Sequence, residues 1–150
     1  MRKSLRNKAM RGIDRLITGT YGEQKWYVPG GWFATTYPIY DGYKVLKSQL
    51  VSEAQPDMSA IIDKLPVMVK ATEFEHGTDE PQQSWQDPFD YVNIRTIDMF
   101  YPSKVNAVYF ELLKDLHPEA EIKISENDKY APVGFYEGSE LVALLMPLRR

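Results

Sequence analysis

The residues best suited to metal binding or acid–base catalysis form an acidic stretch around one of the two histidines. Carboxylates and an imidazole can together bind a hard or borderline cation. The stretch contains Glu73, Glu75, His76, Asp79 and Glu80. Because their spacing matches no metal-site template, a solvated acidic loop is the favoured interpretation. An enzyme that acts through His76 is the less favoured alternative.

Other catalytic arrangements are missing from the sequence. The chain has no cysteine, which excludes disulfides, thiolate zinc sites and a cysteine nucleophile. It contains no glycine-rich phosphate loop and no nucleophile elbow. Asp87 and Asp90 lie in a proline-containing loop that offers no rigid frame, and His117 is placed to bond carbonyls at a helix end. The sequence therefore predicts a protein without enzymatic activity, metal or cofactor.

Length and composition fit one globular domain. The chain has 150 residues, of which 43% are hydrophobic and 26% are charged. No segment approaches the roughly 18 consecutive apolar residues of a membrane-spanning helix, and the basic N-terminus lacks the apolar region of a secretory signal. The sequence predicts a cytoplasmic protein.

A basic amphipathic helix is predicted over residues 3–17. Leu5, Ala9, Ile13 and Leu16 recur at helical spacing and define its apolar side. The basic residues of this region are Arg2, Lys3, Arg6, Lys8, Arg11 and Arg15. This region contains six basic residues and one acidic residue, whereas the rest of the chain contains twelve basic and twenty acidic residues. This asymmetry predicts contact with DNA phosphates, the alternative being a solvated helix face.

The remaining patterns predict an α+β domain in which each half contains one helix and about three strands. Strands are expected at 25–28, 32–37, 39–46, 67–74, 91–101, 120–125, 133–136 and 141–145, and the last two are expected to form a hairpin through residues 137–140. A helix is expected to start at Asp57 and to use Met58, Ile61 and Ile62 on one face, and a second is expected over 103–116. We interpret residues 1–74 and 91–150 as duplicated halves, joined by an acidic, proline-containing loop over 75–90.

Several short segments resemble the DNA polymerase sliding clamps of bacteria and phages. The helix start with Asn106, Tyr109 and Phe110 resembles the family's Asn-x-x-Tyr-Leu, and Pro132 precedes the penultimate predicted strand as in clamps. Residues 146–149, Met-Pro-Leu-Arg, resemble the family's Met-Pro-Met-Arg end, and residues 40–45 resemble its Thr-Asp-Gly-His-Arg-Leu segment.

The resemblance implies a clamp-like domain whose helices face DNA and whose apolar pocket receives short peptides from client proteins. The implied pocket residues are Gly42, Tyr43, Lys44, Val45, Leu145, Met146, Pro147 and Leu148. Methionine suits such a pocket because it is flexible and polarizable. Clamp chains have two or three domains, so a ring of single-domain chains would need six copies, and self-association is expected.

Two functions follow as hypotheses. The first is a non-enzymatic DNA replication or repair accessory, encoded by a phage or another mobile element, that binds DNA and client peptides. The second is a protein-interaction or inhibitor module that shares the clamp topology and does not contact DNA.

Overall fold

The computed structural model describes residues 3–11, 17–40, 57–81, 83–85 and 88–149. Within these ranges the helices are α1 (Lys3–Met10), α2 (Ser59–Ile62) and α3 (Ala107–Leu116). The strands within the same ranges are β1 (Thr18–Tyr21), β2 (Gln24–Tyr27), β3 (Phe33–Thr35), β4 (Val69–Lys70), β5 (Glu73–Asp79), β6 (Phe89–Arg95), β7 (Ser103–Asn106), β8 (Glu121–Ile124), β9 (Val133–Glu137) and β10 (Glu140–Leu145). The α+β class is confirmed.

The strands form two antiparallel sheets. The larger has the order β1-β2-β3-β10-β9-β8-β4, and the smaller has the order β5-β6-β7. Strand β10 joins the N-terminal and C-terminal parts of the larger sheet, because it pairs with β3 on one side and with β9 on the other. The predicted C-terminal hairpin is therefore confirmed, and its second strand is central to the sheet.

Helix α3 lies between the two sheets. The Phe110 ring centroid is 5.9 Å from that of Phe74 on β5 and 6.2 Å from that of Phe135 on β9. Leu112 and Leu113 are fully buried, so the helix is apolar around much of its circumference, as expected for a helix covered on more than one side. Helix α1 packs against α3 as well.

The start of α3 differs from the prediction of a helix over 103–116. Ser103–Asn106 form β7, which pairs with β6, and the helix begins at Ala107. The Asn106 side-chain oxygen accepts hydrogen bonds from the backbone N–H groups of Val108, at 2.8 Å, and Tyr109, at 3.3 Å. This N-cap satisfies two amide donors that the first turn leaves unpaired, and it fixes the boundary.

Three further boundaries depart from the predictions. The helix predicted over 3–17 is observed as α1 over Lys3–Met10, with Arg11 in a turn, and Thr18–Tyr21 form β1, which turns back into β2 through Gly22 at φ 60°. The strand predicted over 67–74 is divided between β4 and β5, which belong to different sheets. Strand β5 continues to Asp79 inside the segment predicted as a loop, because pairing with β6 satisfies its backbone although its side chains are mostly exposed.

The order helix then three strands occurs twice, as α1-β1-β2-β3 and as α3-β8-β9-β10. The two meanders meet where β3 pairs with β10. Duplication of the two halves stays a prediction. The strand predicted over 39–46 lies largely outside the described residues, and Ile39 and Tyr40 are in a turn. No helix in the described ranges is both long and apolar enough to cross a membrane.

A second apolar cluster covers the outer face of the larger sheet, opposite α3. Trp26, Ala34, Leu141 and Leu144 lie in this cluster, and Met58 at the start of α2 packs on them. Helix α2 is a single turn, and the Asp57 carboxylate accepts a hydrogen bond from the Ser59 N–H at 3.0 Å. The larger sheet is therefore buried on both faces near its centre, with α2 as part of its outer cover.

Buried His117 connects the end of α3 to the larger sheet. Its Nε2 lies 2.7 Å from the Thr35 hydroxyl on β3, and its Nδ1 lies 3.5 Å from the Glu137 carboxylate on β9. The side chain thus contacts the two strands that flank β10, and not the helix-end carbonyls that the sequence suggested. A neutral ring with hydrogen on Nδ1 can donate to Glu137 and accept from Thr35.

The pKa of His117 is lowered because burial disfavours the charged imidazolium, although Glu137 opposes this effect. The unfolded chain therefore binds the proton more readily, so stability is lost as the pH falls below the usual histidine pKa of 6.5. We expect His117→Gln to weaken the dependence of the unfolding free energy on pH between about pH 7 and pH 5. Urea denaturation across this range measures the effect.

The matched control is Leu116→Ala, since Leu116 is buried at the same end of α3 and carries no titratable group. This variant should keep the pH dependence of the unchanged protein. Identical pH profiles for His117→Gln and the unchanged protein would contradict the role given to the buried ring.

Candidate peptide-binding pocket

The end of β10 carries side chains to both faces of the larger sheet. Leu145 is fully buried in the core beside α3, whereas Leu144 belongs to the outer cluster. The chain continues along β3 after β10, since the Met146 N–H donates to the Trp32 carbonyl oxygen at 2.9 Å. Side chains two residues apart point to the same face of a strand, so Met146 follows Leu144 on the outer face.

These two side chains help to form an apolar pocket of about 170 Å³ on the outer face. The other contributors come from the turn before β3, from β3 itself and from α2. The lining residues are Val28, Gly31, Phe33, Ala34, Met58, Ile61, Leu144 and Met146. A dry apolar cavity of about 150 Å³ can hold benzene, so this pocket has room for one aromatic or large aliphatic side chain.

The rim of the pocket exposes large apolar groups. Ile61 on α2 is 44% exposed, and Trp32, next to the pocket residue Gly31, is 50% exposed. Gly31 has φ 80°, a conformation that glycine adopts at little cost and that shapes the turn before β3. Exposed apolar side chains around a preformed pocket favour contact with a protein segment.

The predicted pocket residues divide into four groups. Met146 lines the pocket. The assignment of Leu145 to the pocket is corrected. Its side chain lies in the inner core, because the alternation of β10 turns it away from the outer face. Pro147 is buried and Leu148 is half-buried, with the Leu148 N–H donating to the Lys104 carbonyl oxygen at 2.7 Å. Gly42, Tyr43, Lys44 and Val45 lie outside the described residues.

Sequence reasoning missed Leu144 although a signal for it was present. Once Met146 is placed in the pocket, the period of two along a strand assigns Leu144 to the same face. Val28 and Met58 carry no comparable signal, since their contribution depends on how distant segments pack.

The predicted DNA-binding residues are also only partly exposed. Lys8 and Arg11 are exposed, whereas Arg6 is only 8% exposed. Arg6 precedes the buried Ala9 and Met10 by three and four positions, which places it on the face of α1 that packs inward. The assignment of Arg6 to a phosphate-binding surface is therefore corrected. The backbone of Lys3 begins α1, and Arg2 and Arg15 lie outside the described residues.

The acidic stretch around His76 is distributed over the two faces of β5. Glu73 pairs with Arg95 and Asp79 pairs with Lys104 on the outer face of the smaller sheet. His76 lies on the other face, where its Nε2 is 3.2 Å from the Glu111 carboxylate of α3. The described residues contain no group of three or more acidic or histidine side chains placed to hold a metal ion. The alternation of the strand therefore separates His76 from Glu73, Glu75 and Asp79.

Truncation of two neighbouring side chains on opposite faces of the chain at the end of β10 should lower the unfolding free energy by different amounts. Leu145→Ala should lower the unfolding free energy by about 3 kcal/mol, because it leaves a cavity in the closed core. Met146→Ala should cost much less, because the half-buried Met146 side chain borders an open pocket. Urea denaturation of both variants measures the difference. Equal losses of stability would contradict this assignment of the two side chains.

Comparison with known proteins gives no match: no family model, no curated protein and no solved structure is similar to the chain at a significant level. The clamp resemblance therefore rests on the sequence segments alone.

Proposed function

We propose that the chain is a non-enzymatic, cytoplasmic binding module whose apolar pocket receives a large apolar side chain from a short segment of a client protein. The observation that carries this proposal is the position of Met146. The sequence nominated Met146 for peptide binding, and it borders a pocket whose eight described lining residues are Met, Gly or other apolar types.

The composition of the pocket supports a peptide over a polar small molecule. Binding pockets for small ligands usually place a few polar groups among apolar ones to fix orientation. Here the described lining side chains offer no hydrogen-bonding group other than the weak thioether acceptors of Met58 and Met146. An apolar side chain can enter such a pocket, while the peptide backbone stays at the rim beside Trp32.

The proposed setting is DNA replication or repair, as in the clamp-like hypothesis, with several copies associating. Support for this setting comes from the clamp-like segments and from the order of helices and strands in the larger sheet. The protein-interaction or inhibitor module is the alternative setting, and it uses the same pocket.

The test uses fluorescein-labelled six-residue peptides that carry one leucine or phenylalanine among polar residues, with alanine peptides as the matched probes. Ile61→Glu should weaken binding of the leucine and phenylalanine peptides at least about tenfold, because it places a charge in an apolar pocket. Fluorescence anisotropy measures the affinity. Alanine peptides should bind weakly to every form of the protein.

Ile97→Glu is the control, because Ile97 is 83% exposed and is not among the pocket residues. This variant should bind the peptides like the unchanged protein. Equal affinity of Ile61→Glu and the unchanged protein for the leucine and phenylalanine peptides would reject the pocket as their binding site.

DNA contact is the second candidate function, and it is favoured by the exposure of Lys8 on α1 and of Arg11 directly after this helix. Removal of a phosphate contact makes the decrease of log affinity with log salt concentration less steep by about 0.9, and replacing both residues removes two such contacts. The double variant Lys8→Glu with Arg11→Glu should therefore bind duplex DNA more weakly and with a smaller salt dependence.

The control for this experiment is the double variant Lys25→Glu with Lys64→Glu, which changes the net charge equally at exposed positions outside α1. Anisotropy of a labelled duplex over a series of sodium chloride concentrations compares the two. Equal weakening in both would indicate a general charge effect and reject α1 as the DNA-binding element.

A further inference from the structure

A second, larger cavity lies on the outer face of the larger sheet, at the opposite end of β10. Its volume is about 500 Å³, within the usual range for small-molecule sites. Leu141 at the start of β10 lines this cavity, whereas Leu144 and Met146 line the smaller pocket. Helix α2 lies between the two, because Ile61 lines the pocket and Ile62 lines the cavity.

One wall of the cavity is apolar. It is formed by Ile62 of α2, by Leu65, Pro66 and Met68 of the following segment, and by Leu141 of β10. Ile62, Leu65 and Leu141 also belong to the outer apolar cluster around the buried Trp26. This wall can cover a hydrocarbon group and remove it from water, which is favourable by about 25 cal/mol per Å² of apolar surface.

Most polar groups at the other wall already have partners. The Tyr21 hydroxyl donates to the Asp63 carboxylate at 2.6 Å. The Gln24 side-chain amide donates to the Glu140 carboxylate at 2.9 Å and accepts from the Trp26 indole N–H at 2.9 Å. These hydrogen bonds fix the orientation of the side chains on this side of the cavity.

Lys123 differs from these groups. Its ammonium lies 4.8 Å from the ring centroid of Tyr136 and has no carboxylate within ion-pair distance among the described residues. Lys70 lies directly opposite on β4, and its ammonium forms an ion pair with the Glu121 carboxylate at 3.2 Å. Two like charges on paired strands repel each other, so an additional anion near Lys123 would be stabilising.

The Tyr136 ring that lies beside Lys123 depends on a glycine. Gly134 pairs directly with Lys123 across β8 and β9. A side chain at position 134 would bring its Cβ within 2.6 Å of the Tyr136 ring and within 3.2 Å of Leu141. Since glycine leaves this space to the ring, the ring can lie beneath the Lys123 ammonium at the edge of the cavity.

We propose that this cavity binds a carboxylate joined to an apolar group. The carboxylate pairs with the Lys123 ammonium, and the apolar group lies against Ile62, Leu65 and Leu141. A charged hydrogen bond at a partly buried lysine supplies orientation, and the apolar wall supplies most of the burial. The same chemistry is presented by a free medium-chain carboxylic acid and by the C-terminal residue of a peptide that ends in an apolar side chain.

The test measures binding by titration calorimetry with two pairs of probes. The first pair is octanoate and 1-octanol, and the second is a tetrapeptide with a C-terminal leucine carboxylate and the same peptide as its amide. At least one carboxylate probe should bind about tenfold or more tightly than its neutral counterpart, a ratio that Lys123→Gln should abolish. Lys64→Gln, an exposed lysine outside the cavity, should preserve the ratio.

Methyl NMR spectra locate the bound probe. Signals of Ile62 and Met68 should shift on binding, whereas those of the pocket residues Ile61 and Met146 should not. Preference for octanoate over the peptide, or the reverse, identifies the source of the carboxylate. The proposal is overturned if neither carboxylate probe binds at millimolar concentration, if Lys123→Gln binds like the unchanged protein, or if the shifts occur only at Ile61 and Met146.

These readouts are independent of the proposed function. Failure of the peptide experiment at Ile61 leaves the cavity proposal intact, and failure of the carboxylate experiment leaves the pocket proposal intact. Leu65→Ser provides a second variant in which the charge of Lys123 is kept. It should weaken the carboxylate probe and its neutral counterpart together, because it removes part of the shared apolar wall.

Discussion

The burial of α3 between two antiparallel sheets is the interaction on which the rest of the fold depends. Phe110 contacts aromatic rings from both sheets, and His117 connects the end of the same helix to the larger sheet. Because this helix closes the inner face of the larger sheet, the described cover of the opposite face comes from α2 and the segment after it. Among the described residues this short cover leaves the pocket at Met146 and the larger cavity at Leu141 open beside it.

The central position of β10 links the inner core to the outer surface. Leu145 stabilises the core, while Leu141 and Leu144 shape different cavities on the outer face. The two cavities differ in chemistry because of their neighbours. The pocket beside Met146 is apolar throughout its described lining, whereas the cavity beside Leu141 includes the charged groups Lys123 and Glu140.

Elements with a strong local sequence pattern were predicted correctly, whereas elements without one were missed. The hairpin of β9 and β10 was predicted because two apolar runs flank a glycine-containing turn, and Gly138 there has φ 64°. Residues 75–79 of β5 were missed because this largely polar stretch gives no hydrophobic alternation. The assignment of Met146 to the pocket came from a family resemblance. Ile61 and Met58 line the pocket because segments distant in sequence pack together. Periodicity along the chain carries no information about such contacts.

The pairing of β3 with β10 also constrains the order of folding. Ala143 pairs with Thr35, so the partners are more than a hundred positions apart in the sequence. Contacts of such long range are associated with slow folding, because the chain loses loop entropy before the contacts form. During synthesis, β3 lacks its β10 partner until residues 140–145 are available. The edge of β3 that β10 covers in the folded sheet is a site for non-native pairing until that point.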